Sequence, residues 1–550
     1  MELEKQKNLL FKCEGMQQNG FSNNNAGILC ISRTYGRTEN GKRLLYKCIP
    51  DDRSLPTFLV PYQVAPTFEK AYKNKYILFR CVKWDAECPF GEITDTLGDV
   101  DSQEAFNEYQ VCRYKLNIPL TDFTNTVKRR LRLLPANDAV NDNEWNLIEK
   151  IMLMYPGGKI VDLRNYDNII TIDPSSCTDF DDAFSTHITG NVVTVNVYIS
   201  AVFLWMETFR LWESITDRVS TIYLPDKKRP MLPALLSDTL CSLQQQKNRF
   251  AFVMSTRYDI HTGKQLSEST FMNALINVSK NYSYDDPSLN RNKTYSRIRD
   301  ITGHTDSHDV VAWWMIKMNE ECANCLMRAN VGIFRIQPAP LHQVPLSSVP
   351  LPSVPLSSVP LPEVVPLPEV VPLPDAVKRW LKTDGPYDAA KYSDISASHT
   401  GFGLDQYLHI TSPIRRIADI INQTLFMKHI IGLTISVECT HFLEKWMGKI
   451  EYMNEKTRNI RRIQMDCELL NLCNRDSRTL DTTYTGMAIA NERTGEYTIY
   501  IEALKLITYI KTAAVLPLFV SAQFQIYVFN DESRLSRKIR IRHLAIPQRI

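Results

Sequence analysis

Short apolar runs separated by turn residues dominate the first 120 residues of the chain. Three of them are AGILCIS (26–32), PTFLVPYQV (56–64) and NKYILFRCVKW (74–84). Runs of this length, bounded by Gly, Pro or Asn, are typical of β-strands. They predict a small β-barrel at the start of the chain. A second series of short runs, beginning near Thr483, predicts another small barrel at its end.

The middle of the chain has longer periodic segments. The β-branched run 192–203 predicts a buried strand, and the apolar spacing in 310–330 and 415–432 predicts helices. Before this region, the basic stretch 126–134 predicts a helix and the polar stretch 135–144 predicts a linker. The pattern therefore indicates a multidomain α+β protein, with a mixed α/β central domain flanked by β-barrels.

Length and composition narrow the class of protein. A chain of 550 residues is long enough for about three or four domains. A hydrophobic share of 44% and a charged share of 23% are ordinary for globular protein and exclude wholesale disorder. A net charge of +3 says nothing about partners, so charge has to be considered locally. The 13 cysteines are scattered and odd in number, which favours reduced thiols.

No apolar run approaches the length of a membrane span, and the first residues lack the apolar segment of an export signal. We therefore expect an intracellular protein, cytoplasmic or nuclear, without a membrane partner.

A low-complexity repeat of the form VPLSS or VPLPE occupies residues 344–375. The stretch 338–375 holds 12 of the 29 prolines, and proline at this density favours extended polyproline II over helix or paired strand. Two interpretations stay open. The repeat is either a semi-rigid inserted loop or a docking site for a partner that reads polyproline.

Four aspartates stand close together in the segment IDPSSCTDFDDAFS (172–185): Asp173, Asp179, Asp181 and Asp182. Their charges repel, and the apolar flanks together with the β-branched run that follows argue against an exposed loop. Carboxylates in such a group suit hard divalent cations such as Mg²⁺. Spacing alone leaves a solvated acidic loop or a Ca²⁺ loop open as well.

Two further segments combine charged residues with prolines, which restrict the turns of the backbone. In YLPDKKRP (223–230), Tyr223 precedes three cations, a combination that could stack a base while the cations hold a nucleic-acid backbone. In TSPIRRIADI (411–420), Arg415 and Arg416 stand at a predicted helix start, where an arginine fork aimed at phosphate would explain them. The alternatives are a packed tyrosine and a surface arginine pair near Asp419. Cys322, Cys325, His399 and His409 are expected to be structural.

Together these segments resemble the RNase II (RNB) family of 3′-to-5′ exoribonucleases. TIDPSSCTDFDDA, YLPDKKRPMLPALLSDTLCSL and ASHTGFGLDQYLHITSPIRRIADI are similar to three of its motifs, in the family's order, over about residues 160–475. CPFGEITDTLG (88–98) is similar to the cold-shock-type barrels of the eukaryotic exosome-associated branch. No segment resembling that branch's PIN nuclease domain precedes them, so endonuclease activity is not implied.

The resemblance implies roles for particular residues. Asp173, Asp179, Asp181 and Asp182 would bind Mg²⁺ as two ions in the family's manner, with Asp181 the most critical for cleavage. Arg415 would contact the scissile phosphate and act with Asp181 and Asp182 in catalysis. Tyr223 would hold the terminal nucleotide, Tyr284 would bear on the choice of RNA over DNA, and Arg416 would assist in binding RNA.

The sequence departs from the family at several positions. Ala201 stands where the family has an acid, Ala312 and Trp313 replace a helical glutamate, and Gln423 and Gln337 stand in the place of histidines, the latter near Arg335. These departures leave the aspartates intact and put sugar discrimination in doubt.

The resulting prediction is a monomeric Mg²⁺-dependent exonuclease that hydrolyses single-stranded RNA to nucleoside 5′-monophosphates. Its expected domains are a cold-shock or OB-like region (1–144), an RNB catalytic domain (145–475) that contains the repeat, and a C-terminal OB-type RNA-binding barrel (476–550). The alternative is a catalytically impaired family member that serves as an RNA-binding module.

Overall fold

The computed structural model describes most of the chain. The described residues are 24–38, 40–64, 73–83, 89–132, 140–165, 168–337, 377, 390–475, 480, 482–493, 495–504, 506–531 and 536–544. The proline-rich repeat 344–375, with both interpretations of it, lies outside the described residues.

The described part contains twenty-one strands and nine α-helices, numbered here in chain order. The strands are β1 (Asn25–Arg37), β2 (Leu44–Pro50), β3 (Phe58–Tyr62), β4 (Lys75–Lys83), β5 (Phe90–Asp99), β6 (Ile160–Asp162), β7 (Ile170–Asp173), β8 (Asp182–Thr189), β9 (Val192–Ser200), β10 (Ile222–Tyr223), β11 (Lys228–Arg229), β12 (Asn248–Asp259), β13 (Thr270–Asn277), β14 (Lys280–Ser283), β15 (Phe334–Ile336), β16 (Lys391–Ser393), β17 (Thr483–Arg493), β18 (Glu496–Ile501), β19 (Leu506–Lys511), β20 (Ser521–Asp531) and β21 (Ser536–Leu544). The helices are α1 (Gln103–Arg113), α2 (Thr121–Arg132), α3 (Val140–Met154), α4 (Val202–Thr208), α5 (Lys293–Thr302), α6 (Ser307–Arg328), α7 (Ile417–His429), α8 (Val437–Met447) and α9 (Ile450–Arg475).

The first five strands close into a barrel in the order β1-β2-β3-β5-β4. Its interior holds fully buried apolar side chains such as Leu29, Phe58 and Phe79. Helix α1 packs on the outside, where the rings of Tyr76 and Tyr109 stack with their centroids 4.2 Å apart. The predicted barrel at the start of the chain is therefore confirmed.

A seven-stranded sheet with the order β14-β7-β8-β9-β12-β13-β6 forms the centre of the molecule. The outer pairs β14–β7 and β13–β6 are parallel, and the inner pairs are antiparallel. Helices α4 to α8 contribute to one continuous apolar core with this sheet. The predicted strand in 192–203 is β9, which is almost entirely buried and ends at Ser200, where the chain turns into α4.

The last five strands form an antiparallel sheet in the order β19-β18-β17-β20-β21. Leu469 and Cys473, near the end of α9, belong to its apolar core, so this sheet is joined to the preceding helix by packing. The multidomain α+β class is confirmed by these three sheets and their helices. The domain boundaries stay predictions.

One element differs from expectation. The polar segment 135–144 is predicted as a linker, but α3 begins at Val140 and continues to Met154. Apolar residues farther along this helix, Leu147, Ile148 and Ile151, are buried in the central core, and their packing stabilises a helix whose first turn is polar. Within the described ranges, none of the helices combines the length and the apolar character of a membrane span.

Candidate active site

The four aspartates lie at one end of the central sheet. Asp173 is the last residue of β7 and Asp182 is the first of β8, while Asp179 and Asp181 lie in the loop that joins these neighbouring strands. All four are buried, with exposures of 9%, 8%, 3% and 7% in chain order. The sheet therefore brings together the carboxylates that the sequence places within one segment.

Hydrogen bonds hold the loop between β7 and β8 in place. The Ser242 hydroxyl donates to the carbonyl oxygen of Thr178 at 2.9 Å and accepts from the N–H of Phe180 at 3.1 Å. The Ser200 N–H donates to the carbonyl oxygen of Asp181 at 2.8 Å. Because each bond uses loop backbone, the aspartate side chains stay available for other partners.

Burial controls the protonation of these carboxyl groups. It raises the pKa of Asp181 to about 7, although the charge of Arg415 partly offsets the effect. Burial also raises the pKa of Asp173 and of Asp182, and the charge of Asp181 adds to this effect at Asp173 as the charge of Asp173 does at Asp182. A cation placed among these groups would stabilise their charged forms.

Arg415 reaches Asp181, the most buried of the four aspartates, from a distant part of the chain. Its Nε donates to Asp181 Oδ2 at 3.1 Å, and the Ile414 N–H donates to Asp181 Oδ1 at 3.0 Å. A second donor, Nη2, bonds Ser412 Oγ at 3.0 Å. The side chain is nevertheless 46% exposed. An arginine has five N–H donors, so the exposed edge of the guanidinium can still bind an anion.

Tyr223 and Lys228 face each other across a short antiparallel pair, β10 with β11. The Tyr223 hydroxyl donates to Asp179 Oδ2 at 2.9 Å, and Lys228 Nζ donates to Asp179 Oδ1 at 3.1 Å. Tyr223 is 41% exposed although its hydroxyl is bonded to a buried carboxylate. The ring therefore offers a face to a ligand beside the aspartates.

Tyr284 lies directly beside the first aspartate. It follows β14, in which Ser283 is in register with Asp173, and its N–H donates to the carbonyl oxygen of Asp173 at 3.0 Å. The charges of Asp182 and Asp173 add to the effect of burial in raising the pKa of Tyr284. Its ring stacks on His308, with the centroids 3.7 Å apart. The structure thus brings Tyr284 to the aspartates, and sequence reasoning missed His308.

The residues present fit a divalent cation in an open site. Asp173 Oδ2 and Asp182 Oδ2 are buried without a hydrogen-bond partner among the described residues. Within the same ranges, no three His, Cys, Asp or Glu side chains converge closely enough to enclose an ion. Mg²⁺ commonly binds through one or two carboxylates, with water and substrate phosphate completing its octahedron. An oxygen-only set completed by substrate matches this arrangement better than a closed protein cage.

Arg416 turns away from this group. Its Nε and Nη2 donate to the two oxygens of Asp419 at 2.8 Å each, and Asp419 also accepts from the Ser412 N–H at 2.7 Å. Asp419 is fully buried, so this bidentate pair fixes the turn that presents Arg415. The contacts match the alternative of an arginine near Asp419. The predicted role of Arg416 in binding RNA stays a prediction.

Two of the departures from the family pattern adjoin each other. Gln423 is fully buried, accepts from the Phe203 N–H at 3.0 Å and donates to the Ser200 carbonyl oxygen at 2.9 Å. These two partners flank Ala201 at the turn from β9 into α4. Gln423 thereby satisfies backbone groups of the segment that carries the missing acid, and it serves the fold at that point.

The remaining departures from the family pattern, and the other residues named in the sequence analysis, lie outside the group of side chains around the aspartates. Ala312 is exposed on α6, whereas Trp313 is half-buried and packs edge-on against Trp314. Gln337 is fully buried and accepts from the Gly401 N–H at 3.0 Å. The other side chains, all in packed positions, are Arg335, Cys322, Cys325, His399 and His409. Burial lowers the pKa of His409 well below its usual range, which suits a neutral structural ring.

A contact between the barrel helix α1 and the Tyr223 turn is a feature that sequence reasoning missed. Glu108 accepts from Lys227 at 2.8 Å and from Arg229 at 2.7 Å. Asn107, also on α1, donates to Asp226 at 2.9 Å. No local sequence pattern could reveal pairs that are more than a hundred residues apart. They fix the turn that carries Tyr223 and Lys228.

Comparison with known protein families agrees with this architecture. Residues 160–292 and 287–432 match the RNB domain, and residues 45–109 match the Dis3-like cold-shock domain 2. The chain belongs to the RNB family of exoribonucleases. The resemblance of its three motifs to this family is confirmed.

Among curated proteins, the human exosome complex exonuclease RRP44 is 27% identical over 244 residues. The match covers 44% of this chain and 23% of the human protein, so the chain spans about a quarter of that relative.

Solved structures extend the likeness of fold to nearly the whole chain. Mycoplasma genitalium RNase R, solved in complex with ribose-methylated single-stranded RNA, has a TM-score of 0.66 at 16% identity and covers 94% of this chain and 89% of its own. Yeast Ssd1, described as a pseudonuclease, has a TM-score of 0.58 at 15% identity and covers 92% of this chain and 66% of its own. The fold is therefore shared by a nuclease and by a protein described as a pseudonuclease.

Proposed function

We propose that this chain is a Mg²⁺-dependent 3′-to-5′ exoribonuclease that degrades single-stranded RNA to nucleoside 5′-monophosphates. The observation that carries the proposal is the set of four buried aspartates, two of them with unpartnered oxygens, beside an arginine with an exposed edge. A pure binding surface has no need to bury like charges, because burial of an uncompensated carboxylate is costly.

In this proposal each residue has a defined task. Asp173, Asp179, Asp181 and Asp182 would hold two ions together with water and substrate phosphate, and the bound ions would activate a water molecule and offset charge on the phosphate. Arg415 stabilises the charge that develops on the phosphoryl oxygens. Lys228, which donates to Asp179, orients that carboxylate.

Tyr223 and Tyr284 position the end of the RNA. The half-exposed ring of Tyr223 stacks on the terminal base, while its hydroxyl bond to Asp179 ties that base to the metal-binding loop. Tyr284, stacked on His308 beside Asp173, contacts the terminal sugar. The barrel and the C-terminal sheet hold upstream nucleotides through the charge of the RNA backbone, with little sequence preference. The protein acts as a monomer inside the cell.

The second candidate is a catalytically impaired RNB protein that binds RNA. It is favoured by the fold shared with the pseudonuclease Ssd1 and by the departures at Ala201 and Trp313. The two candidates differ in what happens to bound RNA, because both retain the surfaces that hold it.

Incubation of 5′-labelled and 3′-labelled single-stranded RNA with and without Mg²⁺ distinguishes them. The proposal predicts stepwise shortening of the 5′-labelled strand, immediate release of labelled mononucleotide from the 3′-labelled strand, and neither without the metal. Stable binding without shortening in the presence of Mg²⁺ or Mn²⁺ would establish the second candidate. Internal cuts in a circular RNA would contradict an exonuclease altogether.

A further inference from the structure

A lysine-lined cleft lies apart from the aspartates, where the segment between α1 and α2 meets α8 and α9. Its volume is about 550 Å³, within the range of about 300–1,000 Å³ typical of ligand sites. Its walls include Lys115, Asp217, Lys445, Tyr452 and Lys456. None of these residues belongs to the proposed catalytic machinery.

Positive charge exceeds negative charge in this cleft. Asp217 pairs with both Lys445 and Lys449, at 2.8 Å from each Nζ. Burial alone would raise the pKa of Asp217, but the two lysines lower the pKa below its usual value, so this carboxylate is charged. Asp217 offsets one of these two ammonium groups, and Glu455, 3.4 Å from Lys456 Nζ, offsets that of Lys456. The second ammonium of the Asp217 pair and that of Lys115 are left in excess. A cleft with such an excess attracts anions.

Lys115 occupies a backbone position that favours glycine. It follows the end of α1 with a φ of 52°, in the left-handed region, and its N–H caps the helix by donating to the Cys112 carbonyl oxygen. A lysine here accepts a strain that glycine would avoid. Its side chain is exposed and makes no hydrogen bond or ion pair within the described part of the chain. The position therefore supplies the cleft with an uncommitted cation.

The opposite wall is rigid. Lys456 is 7% exposed, and its Nζ donates to the carbonyl oxygen of Tyr114 at 3.1 Å. The Tyr452 hydroxyl donates to the carbonyl oxygen of Asp217 at 3.1 Å, and Lys449 and Lys456 lie 5.5 Å and 5.4 Å from the centroid of its ring. An aromatic ring among fixed cations is the combination that binds a nucleotide unit, with the base against the ring and phosphate on the ammonium groups.

We infer that this cleft binds the phosphate ester of a nucleotide unit, carried either by the RNA backbone or by a free mononucleotide. Binding of an RNA phosphate in the cleft rests on the proposed function, and it would give the RNA strand a second contact that is distinct from the aspartate site. Binding of a free mononucleotide in the cleft does not depend on the proposed function.

The test measures binding in EDTA, so that cleavage plays no part. A fluorescent single-stranded RNA is titrated across a range of salt concentrations with the wild type, with Lys115→Gln, and with Lys115→Gln/Lys445→Gln, which leaves Lys449 paired with Asp217. Each lysine that contacts an RNA phosphate adds about 0.7 to the slope of log affinity against log salt concentration. We therefore expect the slope to fall by about 0.7 in the single variant and about 1.4 in the double variant. Lys264→Gln, which removes an exposed lysine from the turn between β12 and β13, is the matched control and should leave the slope unchanged.

The second arm titrates nucleoside 5′-monophosphate and inorganic phosphate. Binding of the mononucleotide that is weakened in the double variant, with an unaltered RNA slope, identifies the free nucleotide as the occupant. Melting curves of each variant confirm that the fold is retained. The inference would be overturned if the salt slope of RNA binding were the same in the wild type and the variants and, in addition, the mononucleotide either did not bind or bound all of them equally. Failure of the wild type to bind any RNA would instead contradict the proposed function, and the mononucleotide arm would still test the cleft.

Discussion

Replacement of Arg415 by alanine should lower the rate of cleavage without abolishing RNA binding. The guanidinium donates to Asp181 at 3.1 Å and to Ser412 at 3.0 Å, yet almost half of the side chain faces solvent. In the proposed reaction its exposed edge stabilises charge that develops on the phosphoryl oxygens. Loss of one such donor typically lowers turnover by about 10²–10³-fold, or about 3–4 kcal/mol of transition-state stabilisation.

The assay is single-turnover cleavage of saturating 5′-labelled RNA, which separates the chemical step from binding. Arg415→Lys is the matched control, because it keeps the charge but cannot form the fork, and we expect an intermediate rate. A second substrate with a 2′-deoxy sugar at its 3′ end should show the same relative loss, since Arg415 contacts phosphate. A rate for Arg415→Ala within about threefold of the wild type, or a loss confined to the all-ribose substrate, would refute the assignment.

Three further predictions concern the rest of the chain. Tyr223→Ala should leave a longer final product on a sequencing gel, whereas Tyr223→Phe, which keeps the ring but loses the bond to Asp179, should give a product of wild-type length. A final product of wild-type length from Tyr223→Ala would contradict the stacking role. Gln423→Leu should lower the free energy of unfolding by about 2–4 kcal/mol in chemical denaturation, because the Phe203 N–H and the Ser200 carbonyl lose their buried partner. An unchanged midpoint of the unfolding transition would show that these bonds contribute nothing to stability. Replacement of residues 344–375 by a short flexible linker should leave the cleavage rate nearly unchanged, since family-like sequence lies on both sides, and aggregation of the product would show that the repeat is needed for folding.

Local pattern was sufficient for much of the fold. The alternation of short apolar runs predicted the first barrel, and the β-branched run after the aspartates predicted β9, because burial on both faces of a central strand demands apolar side chains. The helix α3 was missed because its first turn is polar and its apolar residues lie beyond the segment that suggested a linker.

The candidate site was predictable only where its residues are neighbours in sequence. The four aspartates share one loop, so their convergence follows from the strand turn that carries them. The bond of Gln423 to Phe203 spans 220 residues, and that of Glu108 to Arg229 spans 121. Arg415 and Arg416 look alike in sequence, yet only the fold directs one to Asp181 and the other to Asp419. Such choices depend on tertiary packing, which sequence spacing does not reveal.

Cleavage and binding by Asp181→Asn test the central claim most directly. The substitution removes the charge of the most buried of the four aspartates but keeps the size of the side chain, and the amide oxygen can still accept from the Ile414 N–H. We predict that labelled RNA remains intact in the presence of Mg²⁺, while the RNA affinity of the variant stays near that of the wild type. Cleavage by Asp181→Asn at a rate near that of the wild type would contradict the assignment of these aspartates as the metal-binding catalytic centre.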